Sequence, residues 1–246
     1  MASGVFFRWE GRSADRVFAA HLLLIAIVVG AHVVTKLLLR IDPATMGRGT
    51  AAFFDLALER NLPTYFSTLA LVVTGCVAIA IARKTSETGR GGAIGWVFVA
   101  ACLFFMAADE ALAIHDGFSP ALRAQWTTSG VLYHAWVLVY GALAVLVALL
   151  CLPLVRSLSR ATFLRLAFAA VVFIGSAIGF ELLQSSFLSQ AVGGDANAPV
   201  NWGEVELNPL NAVSVIAEES GEMLGVALAL RALILHYCTE LGSRPA

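Results

Sequence analysis

The sequence predicts an all-α protein, a polytopic membrane helix bundle with six transmembrane helices. Hydrophobic residues make up 59% of the 246 residues and charged residues 13%, and the mean hydropathy is +0.82. Soluble domains contain about 25% charged residues. Six apolar stretches each reach the length of about 20 residues that a helix needs to cross a bilayer. None of them alternates apolar and polar residues with the period of two that is typical of a barrel strand.

This composition also excludes several classes of protein. A soluble globular domain or a disordered chain would carry more charge. A nucleic-acid-binding protein would carry a basic surplus, whereas the formal net charge here is −1. We therefore expect the lipid bilayer, and no nucleic acid, among the partners. The four cysteines form no CxxC pair and are interpreted as small apolar residues of the spans: Cys76, Cys102, Cys151 and Cys238.

The six spans belong to one membrane domain that covers residues 1–246. We predict them, in order, at residues 17–39, 63–82, 93–116, 130–152, 163–187 and 210–235. The first exceeds the apolar region of a signal peptide, which is about 7–15 residues long, so we expect it to be retained. Pro63 lies in the first turn of the second span, where a helix tolerates proline. Pro153 follows the fourth span and Pro209 precedes the sixth.

The charged residues between the spans predict the orientation. Eleven of the 16 basic residues lie on the side that holds both termini, and 13 of the 17 acids lie on the opposite side. Basic loops remain in the cytoplasm, so both termini should be cytoplasmic. Two long connections then lie outside. Residues 40–62 should contain a short amphipathic helix near 51–61, and residues 188–209 are rich in Gly, Asn and Pro and should form a loop.

The most informative residues are acids inside the predicted spans. An ionisable residue at mid-span costs roughly 2.5–3.5 kcal/mol and marks a functional site by default. The acids lie near the outer ends of the third, fifth and sixth spans: Asp109, Glu110, Glu181, Glu218, Glu219 and Glu222. At 100° per residue, the three acids of the sixth span share one face. His115 and His134 belong to the same outer layer, so we predict that all of these groups converge.

We predict that this layer binds a divalent metal ion, with Zn, Fe or Mn favoured. The third, fifth and sixth spans carry no Lys or Arg near the acids, so protons or bound cations must neutralise them. Oxygen ligands with a few imidazoles suit these metals. The predicted ligands are Asp109, Glu110, His115, His134, Glu181, Glu218, Glu219 and Glu222. Further contributors are sought among His32, Glu59, Asn61, Asp116, Tyr133 and Gln184.

Three functional hypotheses stay open. The first is a metal-dependent hydrolase or oxidase that acts on a lipid or another membrane-soluble substrate, with a metal-activated water in an open coordination position. The second is a proton- or cation-coupled transporter or permease subunit, because intramembrane acids mark ion pathways. The third is a non-catalytic accessory subunit of a larger membrane complex. The Glu-x-x-His motif of di-metal carboxylate bundles is absent, and we assign no catalytic residue.

Small residues spaced four apart predict how the fifth and sixth spans meet. These pairs are Gly175 with Gly179 and Gly221 with Gly225. Such pairs allow helix backbones to approach closely in a membrane. The contact should bring Glu181 toward the acids of the sixth span.

Three sets of residues carry a resemblance to a known group of proteins. They are Phe54-Asp55-Leu56 followed by Glu59-Arg60-Asn61-Leu62-Pro63-Thr64, then Asp109-Glu110 with His115-Asp116, then Glu218-Glu219 with Glu222-Met223-Leu224-Gly225. Over about residues 50–230, the chain resembles an uncharacterised group of bacterial six-helix integral membrane proteins. Asp116 departs from the Glu that is usual there. The resemblance implies the bacterial inner (plasma) membrane and an acid set that acts as a unit, but no substrate.

Overall fold

A computed structural model describes residues 11–42, 47–194, 205 and 208–242, and these residues form helices and connecting turns without any β-strand. The nine α-helices of the described residues are α1 (Gly11–Ile41), α2 (Arg48–Phe53), α3 (Leu62–Glu87), α4 (Ala93–Leu112), α5 (Ile114–Trp126), α6 (Trp136–Leu150), α7 (Leu152–Val155), α8 (Arg160–Ala191) and α9 (Pro209–His236). A 3₁₀ turn covers Gly130–Leu132, and a π-helical turn, Tyr237–Leu241, ends the described chain. The predicted all-helical class is confirmed.

Within the part of the chain that the structure describes, five helices are long and apolar enough to cross a membrane. They are Arg12–Ile41, Leu62–Glu87, Ala93–Leu112, Arg160–Ala191 and Pro209–Leu241, and they overlap the first, second, third, fifth and sixth predicted spans. The fourth predicted span, 130–152, contains the apolar helix α6, which has 15 residues. At 1.5 Å per residue such a helix covers about 22 Å, less than the roughly 30 Å of a hydrocarbon core. Five long apolar helices indicate a membrane protein, and the sixth crossing stays a prediction.

Three elements end at different places than the sequence indicated. The third predicted span, 93–116, stops at Leu112, because Ala113 adopts a left-handed backbone (φ 53°) and the chain restarts as α5. The amphipathic helix expected near 51–61 is the six-residue α2, and turns occupy most of the chain from there to α3. In the loop predicted at 188–209, α8 continues to Ala191, while residues 195–204 and 206–207 lie outside the described residues.

Helix α9 is the packing centre of the bundle. It contacts α8, α1 and α3, and α3 contacts α4. A Cβ atom at Gly225 would lie 2.6 Å from Cβ of Phe173 and 2.8 Å from its backbone, and one at Gly221 would overlap the Ser176 side chain. These two glycines therefore set the close approach of α8 and α9. Gly175 and Gly179 have no such neighbour within 4 Å, so the prediction that they also mediate this contact is wrong.

The chain between α1 and α3 folds back onto the C-terminal end of α1. Lys36 Nζ lies 2.7 Å from a carboxylate oxygen of the buried Asp55, and Nδ1 of His32 accepts the backbone N–H of Leu56 at 3.1 Å. The Asn61 side chain caps α3 by accepting the N–H of Thr64 at 3.3 Å, a common helix start. These contacts fix the turn that carries Glu59.

Candidate metal centre

A break between two helices brings acidic and imidazole groups together at one end of the bundle. Asp109 and Glu110 belong to the last turn of α4, and His115 and Asp116 to the first turn of α5. Between them, the left-handed Ala113 ends α4 and changes the direction of the chain. A non-glycine residue in this conformation costs about 1 kcal/mol, and such strain is concentrated at functional sites. Because of this break, His115 lies back against Asp109.

Asp109 holds His115 in a defined orientation. Oδ2 of Asp109 lies 3.0 Å from Nδ1 of His115, and Oδ1 accepts the backbone N–H of His115 at 2.9 Å. The hydroxyl of Tyr140 donates to the same Oδ1 at 2.8 Å. The carboxylate therefore favours a proton on Nδ1 and leaves Nε2 as the ligand atom. A carboxylate behind a histidine is the usual support of a metal-binding imidazole.

His115, Glu59 and Asp116 form a group that could hold a metal ion. Each offers one ligand atom, and these atoms lie within 4.8 Å of one another. Nε2 of His115 is 3.7 Å from Oδ1 of Asp116. Ligands of a tetrahedral zinc site are about 3.4 Å apart, so small rotations of the carboxylates would bring these atoms to the spacing that a metal ion requires. The side chain of Asp116 is 55% exposed and that of His115 18% exposed, and the group thus opens at the edge of the protein.

The electrostatic environment favours a cation at this group. Burial by itself would lower the pKa of His115, but the hydrogen bond to Asp109 and the charges of Asp116, Asp109 and Glu59 outweigh it and raise the pKa to about 9. Burial also raises the pKa of Glu59, and the positive charge of His115 opposes that rise. Without a metal ion, a proton on His115 partly neutralises the group at neutral pH. A metal ion must displace that proton.

A second group of polar side chains lies deeper, between α8 and α9. Glu181 accepts the indole N–H of Trp136 at 3.1 Å and contacts Nδ1 of His134. Glu218 accepts the side-chain amide of Gln184 and interacts electrostatically with Glu181. Glu181 and Glu218 are both buried. Two neighbouring carboxylates repel each other when both are ionised, and burial strengthens this repulsion.

The two groups are parts of one layer. Trp136 joins them, since its N–H contacts Glu181 while its ring centroid lies 4.9 Å from that of His115. Two half-buried acids, Glu219 and Glu222, interact electrostatically with both groups, and Glu110 interacts with the first group and with these two acids. The structure therefore brings all eight predicted ligands into one layer, although only His115 belongs to the compact three-residue group.

A family model described as a domain of unknown function, DUF8692, matches residues 11–237. The chain belongs to the DUF8692 family. The matched range contains the whole layer, from Glu59 to Glu222. No curated protein and no solved structure matches the chain. The family agrees with the predicted resemblance to an uncharacterised group, whereas the bacterial origin and the six-helix motifs of that group stay predictions.

The remaining contributors predicted for the DUF8692 chain have different positions. Glu59 and Asp116 lie in the three-residue group, and Gln184 contacts Glu218. His32 and Asn61 contact the turn before α3 instead of the acids. Tyr133 stacks under the guanidinium of Arg123, 4.3 Å from the ring centroid, and its ring lies 5.8 Å from that of His134. His32, Asn61 and Tyr133 therefore support neighbouring segments.

Two aromatic residues of the DUF8692 site were missed from sequence. Tyr140 and Trp136 are four residues apart on α6, so they share a face, and both bond to acids of the layer. Neither residue was among the predicted ligands or contributors. Their spacing of four residues, close to His134, could have indicated that both rings face the acids, since each ring carries a polar hydrogen-bonding group.

Basic residues do not compensate the acids of the DUF8692 layer. Among the described residues, no Lys or Arg forms an ion pair with the six acids of the predicted ligand set or with Glu59 or Asp116. Lys36 pairs with Asp55, and Arg60 donates to the backbone oxygen of Leu112 at 3.2 Å. The negative charge is left to histidines, protons or a bound cation.

Proposed function

We propose that this chain is a polytopic plasma-membrane protein that binds a divalent metal ion at an outward-facing centre formed by Glu59, His115 and Asp116. Asp109 orients His115, and the remaining acids of the layer surround the centre. The observation that carries the proposal is the double contact of Asp109 with His115, which presents Nε2 beside two carboxylates. Zn, Fe and Mn are the metals that suit one imidazole and several carboxylates.

A buried hydroxyl on the helix that carries His115 supports the proposal that a ligand binds here. Ser119 follows His115 by four residues, so both lie on one face of α5. The residue is 4% exposed, and its hydroxyl has no hydrogen-bond partner among the described residues. A buried hydroxyl without a partner costs about 1–3 kcal/mol. Such groups are found where a ligand or an ordered water completes the structure.

Three protein ligands leave coordination positions for a substrate. A metal ion with an open position acts as a Lewis acid and lowers the pKa of a coordinated water. In this chain, the Glu59, His115 and Asp116 side chains would hold the ion, and Asp109 and Tyr140 would fix the imidazole. We propose a metal-dependent hydrolase or oxidase whose substrate is a lipid or another membrane-soluble molecule.

The orientation of the centre follows from the asymmetry of charge between the two sides, which favours cytoplasmic termini. In a variant without native cysteines, Gln125→Cys in α5 should react with an impermeant maleimide in intact spheroplasts. Thr88→Cys, at the other end of α3, should react only after permeabilisation. Reaction of position 88 alone in intact spheroplasts would overturn the outward-facing centre.

A proton-coupled function is the second candidate, and the Glu181–Glu218 contact favours it. A proton shared by this buried pair would relieve the repulsion between its carboxylates, beside His134 and the Trp136 N–H. Intramembrane acids of this kind bind protons in pumps and transporters. The pair could also serve only to hold α8 and α9 together. Transport would require that the proton exchange with the outside, which the metal centre does not require.

Elemental analysis of purified protein tests the metal proposal. After exposure to Zn, Mn and Fe(II) in turn and removal of free metal, we expect about one ion per chain for at least one metal. Glu59→Gln and Asp116→Asn should each lower this occupancy, whereas Glu87→Gln, an exposed acid near the end of α3, should not. Wild-type protein without stoichiometric metal in all three arms would refute the proposal.

A further inference from the structure

Arg60 occupies an unusual position next to the proposed metal centre. It directly follows Glu59 and precedes the helix-capping Asn61, and its backbone is left-handed with φ of 63°. For a residue other than glycine this conformation costs about 1–2 kcal/mol. The surrounding turn is held by Asn61, whose amide donates to the backbone oxygens of Ala52 and Asp55 at 3.1 and 2.6 Å. The fold thus fixes the start of the Arg60 side chain.

The guanidinium of Arg60 has more hydrogen-bond donors than the contacts found for it among the described residues. It carries five N–H groups, and one contact is found among the described residues, from Nη2 to the backbone oxygen of Leu112. That contact directs the charge to the end of α4, beside the acids. Arg60 nevertheless forms no ion pair with a carboxylate of the described chain. Because this positive charge is not paired with a carboxylate of the described chain, it is available to bind an anion.

Three large apolar residues lie close to Arg60 in the chain or at its hydrogen-bonding partner. Leu58 and Leu62 lie two residues to either side of Arg60 in the chain, and Leu112 is its hydrogen-bonding partner. All three are exposed, Leu112 to 59%. They continue the exposed apolar side chains of α4, which include Phe105. A molecule bound at Arg60 would therefore meet apolar surface around its anionic group.

We propose that Arg60 and the metal ion together bind a phosphate group, carried by the head group of a membrane lipid. This inference rests on the proposed metal centre, because the ion supplies the second positive charge. A guanidinium binds phosphate through two parallel hydrogen bonds, while an open metal position takes an anionic oxygen. The unpartnered Ser119 hydroxyl, on the face of α5 that carries His115, is a further donor. The leucines accommodate the apolar part of the lipid.

Relaxation of ³¹P nuclei by bound Mn²⁺ tests this inference. Protein in detergent micelles is loaded with Mn²⁺, and free Mn²⁺ is followed by its electron paramagnetic resonance signal. Inorganic phosphate and dihexanoylphosphatidylglycerol are titrated separately, with the His115→Gln variant as background. We expect bound Mn²⁺ to shorten the ³¹P relaxation times of both probes. The lipid should act at about tenfold lower concentration, since each CH₂ group that it buries contributes about 0.8 kcal/mol.

Matched variants show whether Arg60 is the anion-binding residue. Arg60→Gln should bind Mn²⁺ as wild type does and weaken the lipid titration about tenfold or more, the scale of one lost charged hydrogen bond. Arg60→Lys should recover part of the loss, because it keeps the charge without the paired donors. Arg48→Gln, an exposed cation at the start of α2, should behave as wild type. Thermal melting confirms that each variant is folded.

Each outcome has a defined meaning. If relaxation depends on Arg60 but is equally efficient for inorganic phosphate and for the lipid, the phosphate site is supported. The proposal that the phosphate belongs to a lipid head group is then contradicted. Relaxation that Arg60→Gln leaves unchanged, or no relaxation with Mn²⁺ bound, overturns the inference and leaves the metal centre standing. Absence of bound Mn²⁺ in the wild type refutes the inference and, if Zn and Fe also fail to bind, the proposed function with it.

Discussion

Asp109 contacts His115 twice, through the imidazole Nδ1 at 3.0 Å and through the backbone N–H at 2.9 Å. The two residues are six apart in sequence, and one left-handed residue, Ala113, lies between them. A continuous helix would have rotated His115 about 120° away from the face that Asp109 occupies. The break thus converts a row of acids along one helix into an oriented imidazole with a carboxylate behind it.

We predict that Asp109→Asn lowers metal affinity by about 10- to 100-fold, the range observed for partners behind metal ligands. The amide keeps the shape of the side chain but lacks the negative charge that favours the proton on Nδ1. Titration with Mn²⁺ measures the change in affinity. The control is Asp15→Asn, because Asp15 lies near the N-terminus of α1 and pairs with Arg231. Unchanged affinity in Asp109→Asn would show that this pair does not act on a metal ligand.

Metal affinity should increase with pH. His115 has a pKa raised to about 9, so it is protonated at neutral pH and must lose a proton before it can bind a metal ion. With one proton released, affinity should rise about tenfold per pH unit below 9 and level off above it. Isothermal titration calorimetry in buffers of different ionisation enthalpy counts the protons released. A pH-independent affinity between 6.5 and 8.5 contradicts coordination by His115.

The buried carboxyl pair should respond asymmetrically to neutral substitutions. Glu218→Gln keeps a side-chain donor toward Glu181 and should change stability by less than about 0.5 kcal/mol, like a neutral substitution. Glu181→Gln alters the carboxylate that contacts both the Trp136 N–H and His134, and it should destabilise by about 1–3 kcal/mol, the scale for leaving a buried polar group without its partner. Melting temperatures in one detergent provide the comparison. Equal effects of the two substitutions would contradict this difference between the two carboxyl groups.

Helix packing should distinguish two glycines. Gly225→Ala places a Cβ atom 2.6–2.8 Å from Phe173, including its backbone, and we expect it to destabilise by about 1–3 kcal/mol through overpacking. Gly179→Ala meets nothing within 4 Å and should be neutral or slightly stabilising. Thermal unfolding in detergent measures both variants. Equal loss at the two positions would contradict the close contact of α8 and α9.

Hydropathy and the cost of burying charge were sufficient to predict the helical class, the five long apolar helices and the acids that the layer contains. These signals are local, because each depends on composition along one helix. The arrangement within the layer depends on backbone breaks, and these were not predictable. Ala113 adopts a conformation that favours glycine or asparagine, so nothing in its side chain indicates that the helix ends there.

The position of Glu59 could not be predicted from the sequence either. Its position depends on the turn before α3, which is held by side-chain contacts of Asn61 with Ala52 and Asp55 and by the ion pair of Asp55 with Lys36 on α1. An amphipathic pattern near 51–61 favoured a helix there instead. Contacts between distant segments outweighed the local pattern, and the three-residue group could therefore not be separated from the other acids by sequence alone.

Pulsed electron paramagnetic resonance of Mn²⁺ bound to protein with ¹⁵N-labelled histidine tests the metal centre most directly. Nitrogen hyperfine coupling appears only when an imidazole coordinates the ion. We predict coupling to one histidine nitrogen. The coupling should remain in His134→Gln. In His115→Gln it should be lost, either at equal Mn²⁺ occupancy or because Mn²⁺ no longer binds. Bound Mn²⁺ without nitrogen coupling, or coupling that persists in His115→Gln, would contradict a centre formed by Glu59, His115 and Asp116.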